Sequence, residues 1–335
     1  MAVQSPSVSE ILSIIRYALV EIMEGIKDQT LIRNDVPKNF SLEEFHSEFR
    51  LCATIISKAV TEIAVMYDYQ FSDLKKFREN TLIIGVAFYS ICKALFTFPK
   101  KFGTFLHNEI MLVVNDIYLS LSNFFKEVDL KLFKGLPLTS DAVDHVLSLC
   151  GDVYVISMSN LESVTALLEH EALLILNVLQ EIHQVVVSDV TAPKFNQQID
   201  NTEIWNNQDK QLLPSCILLI HTARLIFEDI IASMKTNGDA RSFCNISELD
   251  NVGEMVRDLH ISDDIISFMT AMLPPVDREL VKCDARNIAY KIRQLLHHIK
   301  NSHFLRGDQK RIVKLLKSVD SSNNKLYPLL SNENE

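Results

Sequence analysis

Turn-formers are scarce in this chain. Its 335 residues include only 8 glycines and 9 prolines, too few for the many tight turns of a β-sandwich or barrel. No glycine-rich loop follows a strand-like run, which excludes the phosphate-cradling loop of α/β nucleotide-binding folds. The six cysteines (Cys52, Cys92, Cys150, Cys216, Cys244 and Cys283) include no C-x-x-C pair. They are spread through apolar helical runs, which reads as reduced, buried thiols rather than a disulfide framework or a metal knuckle. Positive charge is also short overall. The net charge of −10 disfavours nucleic acid as the general partner.

Long stretches with apolar residues at helical spacing are abundant, and they make the fold all-α. The reading is two antiparallel helical bundles of four to five helices each. The N-terminal bundle covers residues 1–190, a polar linker 191–211, the C-terminal bundle 212–325, and a tail 326–335. The linker, from Val190 to Gln211, is rich in Asn and Gln, carries Pro193, Asp200 and Glu203, and has little apolar surface to bury.

In the first bundle a helix is expected from Val8 to about Gln29. Glu10, Arg16 and Glu21 punctuate its apolar part, unlike a signal peptide. Ser41-Leu42-Glu43-Glu44 reads as a capping box opening a helix to about Tyr69. The run Thr81 to Phe98 nearly has the length of a membrane span. Lys93 interrupts it and polar flanks adjoin it, so the expectation is a central bundle helix, apolar on most sides, with no transmembrane segment. A fourth helix is read over Phe102 to Val128, and Thr139-Ser140-Asp141 as the cap of the next.

From Leu161 to Val187 the pattern is heptad. Leu161, Leu168, Ile175 and Ile182 are seven apart, Val164, Val178 and Val185 take the companion position, and Glu171 breaks the series. Two readings of this seam stay open: knobs-into-holes packing inside the bundle, or a zipper with another chain. Asp141, Asp144 and Asp152 precede it rather than a basic run, so it is no DNA-reading helix and no sequence-specific DNA contact is expected.

The second bundle opens at the only Trp, Trp205, with polar residues to Gln211 and Pro214 read as lying in a first helical turn. Leu218, Leu225, Ile226 and Ile230 form its apolar series, and Asn237-Gly238 ends it. Arg241 to Asp250 reads as a loop. Helices follow over Asn251–His260 and Ile261–Leu273, the latter capped at Ser262-Asp263-Asp264. Pro274-Pro275 breaks the chain before a helix to about Lys300, and a last helix ends near Ser318.

The C-terminal helices reverse the charge. Lys282, Arg286, Lys291, Arg293, Lys300, Arg306, Lys310, Arg311, Lys314 and Lys317 face only Asp284 and Asp308. Either this is a docking face for an acidic partner or anionic lipid, with Lys310, Arg311 and Lys314 as its centre, or it is a solvated face paired with acids of the same molecule. His297, His298 and His303 cluster nearby at spacings that do not share a helix face, so no metal is assigned. His170-Glu171 lacks the second histidine of a zincin helix. No nucleophile, acid and base converge. No catalytic residue and no cofactor is assigned.

Trp205, Asp209, Leu212, Leu213 and Cys216, then Leu249-Asp250, Asp263-Asp264 and Pro274-Pro275, together resemble the corresponding segments of the GCIP family, the cyclin-D-binding proteins. Weaker similarity surrounds Phe102-Gly103-Thr104. The resemblance implies two helical bundles in the style of vinculin and α-catenin. It also implies a non-enzymatic adaptor that binds D-type cyclins and dampens helix-loop-helix transcription factors, and so acts as a negative regulator in cell-cycle or transcription control. The reduced thiols and an N-terminal helix unlike a signal peptide lead to an expected location in the cytoplasm and nucleus. The rival reading is a cytoskeletal or membrane-peripheral bundle using the basic face. Partner contacts are expected at Leu161, Leu168, Ile175 and Ile182 or at the basic trio.

Overall fold

A computed structural model describes residues 7–27, 40–68, 73–187, 205–305 and 309–331. Among them are eleven α-helices and no strand. The helices are α1 (Val8–Lys27), α2 (Leu42–Asp68), α3 (Leu74–Phe96), α4 (Thr104–Lys134), α5 (Ser140–Asp152), α6 (Asn160–Val187), α7 (Asn207–Asn237), α8 (Phe243–Leu259), α9 (Ile261–Met272), α10 (Arg278–Ile299) and α11 (Gln309–Ser331). The chain is all-α, as its period predicts. It forms two compact units, Met1–Ser163 and Val164–Glu335. The division falls in the first turn of α6, ahead of the linker, which lies mostly outside the described residues.

The first unit is a closed bundle. α2 and α3 form an antiparallel pair, α1 packs on α3 and α4, and α5 rests on α4 and α2. Leu12, Phe49, Ile56, Phe77, Phe88, Phe124 and Phe125 are sealed in its centre. At one end Phe40, Phe45, Phe98 and Phe102 pack ring against ring, with centroids 5.2–6.1 Å apart, contacts that add to simple area burial.

The caps explain the helix starts. The Ser41 hydroxyl accepts the Glu44 N–H at 3.2 Å, as the capping box requires. Thr139 occupies the N-cap position of α5 without a capping bond. Its hydroxyl donates instead to the Glu127 carboxylate. The helix read over residues 102–128 extends to Lys134, where Gly135 at φ +62° closes it in the left-handed conformation.

α3 departs from the expected central helix. Its inner face is buried, but Leu82, Ile83, Val86 and Tyr89 stand open to solvent. Among the described residues it is the one helix long and apolar enough to cross a membrane by length and composition.

The second unit holds most of α6 and all of α7–α11. α10 packs against α8, α9 and α11, and α11 against α7. Several boundaries move from their sequence positions for local reasons. The Asn206 side chain accepts the Asp209 N–H at 2.8 Å, so α7 starts within the stretch read as linker. Pro214 therefore lies inside the helix, on an exposed position. The buried face of α7 runs through Leu212, Cys216, Leu219, Ala223, Ile226 and Ile230, with Leu225 outside. Ser242 caps α8 through the Asn245 N–H, converting the expected loop to helix. α11 continues to Ser331, past the expected end at Ser318.

Cys92 and Cys216 are pushed up to about 12 by burial, and Cys52 and Cys150 are raised for the same reason. These four are inert packing groups. Cys244 and Cys283 are exposed, contrary to the sequence reading.

Burial also holds two histidines of the first unit, His46 and His107, below the ordinary imidazole range. At His46 the Arg50 charge adds to that effect. Unfolding lets both take up protons that the folded unit refuses. Their contribution is intact above the unfolded value of about 6.5 and is lost as pH falls below it. The urea midpoint of the first unit is expected to drop between about pH 7.5 and about pH 5.5. The pair His46→Gln and His107→Gln is expected to flatten that slope, measured by tryptophan-independent circular dichroism.

Candidate functional site

From Val164 onward the heptad seam lies in the second unit. Leu168, Ile175 and Ile182 are buried, as are Val164, Val178 and Val185. Leu161, in the last residues of the first unit, is half-buried. Glu171, the break in the pattern, is half-buried, and one of its carboxylate oxygens has no hydrogen-bond partner. α6 is tied to α7 at its rim by Lys235 and Glu169, 2.5 Å apart. A seam in this state offers no open apolar ridge to a second chain.

The basic face is partly neutralised from within. Arg311 pairs with Asp229 of α7. Lys291 meets Asp264 of α9 at 2.7 Å, and Arg293 meets Asp320 of α11 at 2.7 Å. Arg286 stacks over the Tyr327 ring, its guanidinium carbon 4.8 Å from the centroid. Lys282 reaches Glu279 one turn away. Lys310, Lys314 and Lys317 remain exposed along α11, without an ion pair among the described residues. Arg306 lies outside the described residues. The nine described basic residues are thus not one surface: four of them stitch helices together, and three lysines form a solvated stripe.

The histidines do not converge. His297 and His298 are exposed on α10. Buried His303 accepts the Asp239 N–H on Nε2 at 3.1 Å, and its own backbone N–H donates to Glu248. Among the described residues no group of three His, Cys, Asp or Glu side chains is arranged to hold a metal ion.

Two constellations that the sequence marks only as patterns acquire a physical purpose. The Trp205 indole N–H donates to the Met272 carbonyl at 2.8 Å. Asp209 pairs at 3.0 Å with Arg278, both side chains largely buried. The start of α7 is thereby clasped to the connection between α9 and α10 that contains Pro274-Pro275. Trp205 and Asp209 thus hold the two sides of the connection that carries the proline pair. In the first unit, Gly103 at φ +104° opens α4 and has no side chain to cap it. Buried Asn160, more than fifty residues on, supplies the missing acceptor: its Oδ1 receives the Leu106 N–H at 3.1 Å. Spacing in the sequence gives no sign of Asn160, because the partner is remote and the residue type is common.

No protein-family model matches the chain. It is 19% identical over 324 residues to cyclin-D1-binding protein 1 of Bos taurus, covering 90% of this chain and 88% of that protein. It is 20% identical over 289 residues to a cyclin-D1-binding protein 1 homologue of Danio rerio, covering 81% of each. The resemblance carried by Trp205, Asp209 and the proline pair thus extends along most of the chain and through both units.

Proposed function

We propose that this chain is a non-enzymatic binding adaptor whose partner is a D-type cyclin, acting in the cytoplasm and nucleus as a regulator of the cell cycle. The observation that carries the reading is the extent of the similarity. Two vertebrate proteins named for binding cyclin D1 align with both helical units rather than with a shared fragment. The clasp at Trp205 and the cap at Gly103 support it, because residues that carry the resemblance hold the units in shape. A fold that displays helical surfaces on rigid bundles suits the capture of another helical protein.

The experiment is isothermal titration of purified cyclin D1 into the purified full chain. Binding at micromolar strength or tighter, about −8 kcal/mol, is the expected result. No heat at about 100 μM of either protein, a bound near −5.5 kcal/mol, would overturn the reading.

A further inference from the structure

We propose that the groove between α2 and α3 is a docking site for an amphipathic helix that carries a basic residue at one end. The inference rests on the reading of the chain as a binding protein and names the surface that binds.

The antiparallel register is fixed at both ends. Glu62 of α2 accepts the Asn80 side-chain N–H of α3 at 3.1 Å and lies 3.4 Å from Lys76. At the other end Phe40, Glu44 and Glu48 face Ser90, Lys93, Ala94 and Thr97 across a cavity of about 340 Å³. Residues 44, 48, 51, 55, 58 and 62 recur at three- and four-residue steps along one edge of α2. Residues 97, 94, 90, 86/87, 83, 79/80 and 76 do the same along the facing edge of α3. The midsection is therefore formed by Leu51, Ile55, Ile83 and Val86, and all four are exposed: Leu51 by 59% and Val86 by 57%. These are large aliphatic side chains in a continuous row, not the scattered surface residues every protein has. The trough from Glu44 to Glu62 is about 27 Å long at the helical rise, the length of a five-turn helix.

Charge selects the occupant. At the Glu62 end the carboxylates already have cations, since Lys76 serves Glu62 and Lys75 serves Glu79. At the cavity end neither Glu44 nor Glu48 has an ion pair among the described residues. The two acids against one lysine, Lys93, leave a net negative pocket walled by the Phe40 and Phe45 rings. An Arg or Lys side chain fits this lining: its stem lies on the rings and its head reaches the carboxylates. An acidic helix would meet repulsion there. The occupant is thus a partner helix with an apolar stripe at i, i+4, i+7 and i+11 and a terminal basic side chain.

The test uses a fluorescein-labelled, hydrocarbon-stapled 18-residue peptide. It has leucines at those four positions and an arginine at each end, so that either orientation is served. Fluorescence anisotropy is read with the full chain. Val86→Glu and Leu51→Glu are expected to weaken binding at least tenfold while leaving the melting temperature unchanged, as their exposure requires. Glu44→Arg with Glu48→Arg is expected to weaken this peptide and to strengthen a version whose end arginines are glutamates. Absence of binding to the wild-type chain, or binding indifferent to Val86→Glu, overturns the groove. Cyclin D1 titrated into the wild-type chain in parallel judges the functional reading separately, because the peptide result stands or falls without it.

Discussion

Ile175→Asp is expected to unfold the second unit. Ile175 has no exposed surface, so the substitution removes a packed side chain, at about 2–5 kcal/mol, and leaves a carboxylate in an apolar interior, at several kcal/mol more after relaxation. The sum approaches the whole stability of a typical domain, about 5–15 kcal/mol. Calorimetry is expected to show the transition of the second unit lost or shifted below room temperature while that of the first persists. The control is Leu173→Asp two residues away. Leu173 is exposed, and the change is expected to cost within about 0.5 kcal/mol. Glu171 shows what the helix tolerates: an acid is accepted there because the residue is only half-buried. If Ile175→Asp melted like the wild type and lost cyclin D1 in titration, the seam would be an interface after all. The structure assigns it to the core.

The seam also shows what sequence can and cannot deliver. The heptad from Leu161 to Val185 identifies a buried face, because burial is a property of period. It cannot say whose atoms cover that face, because a zipper and an internal bundle share the same knobs and holes. The same division recurs in α3. Its apolar run predicts a buried helix, and the inner face obeys. The outer row, Leu82, Val86 and Tyr89, stays open, and hydropathy cannot distinguish a buried face from one awaiting a partner. Charge is legible only as a sum. The basic residues between Lys282 and Lys317 stand out in the sequence, but Arg311, Lys291 and Arg293 turn out to be cross-braces to Asp229, Asp264 and Asp320, acids spread over more than ninety residues.

Helix ends are legible where the cap is local and hidden where it is not. Ser41 bonds three residues ahead and is read directly. Asn206 and Ser242 do the same, but polar surroundings mask them, so α7 and α8 begin earlier than their apolar patterns indicate. The groove between α2 and α3 lies a step beyond any such reading. Each edge is visible as a spacing, and only their pairing sets Leu51 and Ile55 along one trough with Ile83 and Val86 and brings Glu44 to the same cavity as Lys93.

The most severe single-atom change in the first unit should be at Gly103. Its backbone, φ +104° and ψ 146°, lies in a region that is essentially reserved for glycine, and other residues there pay about 1–3 kcal/mol. Space compounds the strain. A Cβ at this position would sit 2.0 Å from Asn160 Cγ and 2.5 Å from its Cβ, so Asn160 must move. Asn160 is buried and holds the Leu106 N–H at the start of α4. Displacing it leaves a buried donor and a buried amide unsatisfied, each worth about 1–3 kcal/mol. Gly103→Ala is therefore expected to lower the stability of the first unit by about 3–5 kcal/mol, or its melting temperature by about 10 °C. Gly135→Ala supplies the comparison. That residue is also at positive φ, +62°, but nothing lies within 4 Å of its would-be Cβ, and the expected cost is only about 1 kcal/mol. Asn160→Gly in the Gly103→Ala background separates the two causes. Removing Cβ as well as the amide, it relieves the collision but not the backbone strain, so the double variant is expected to fall short of the sum of the two single losses. A strictly additive result would mean that the clash plays no part and that strain alone makes position 103 intolerant.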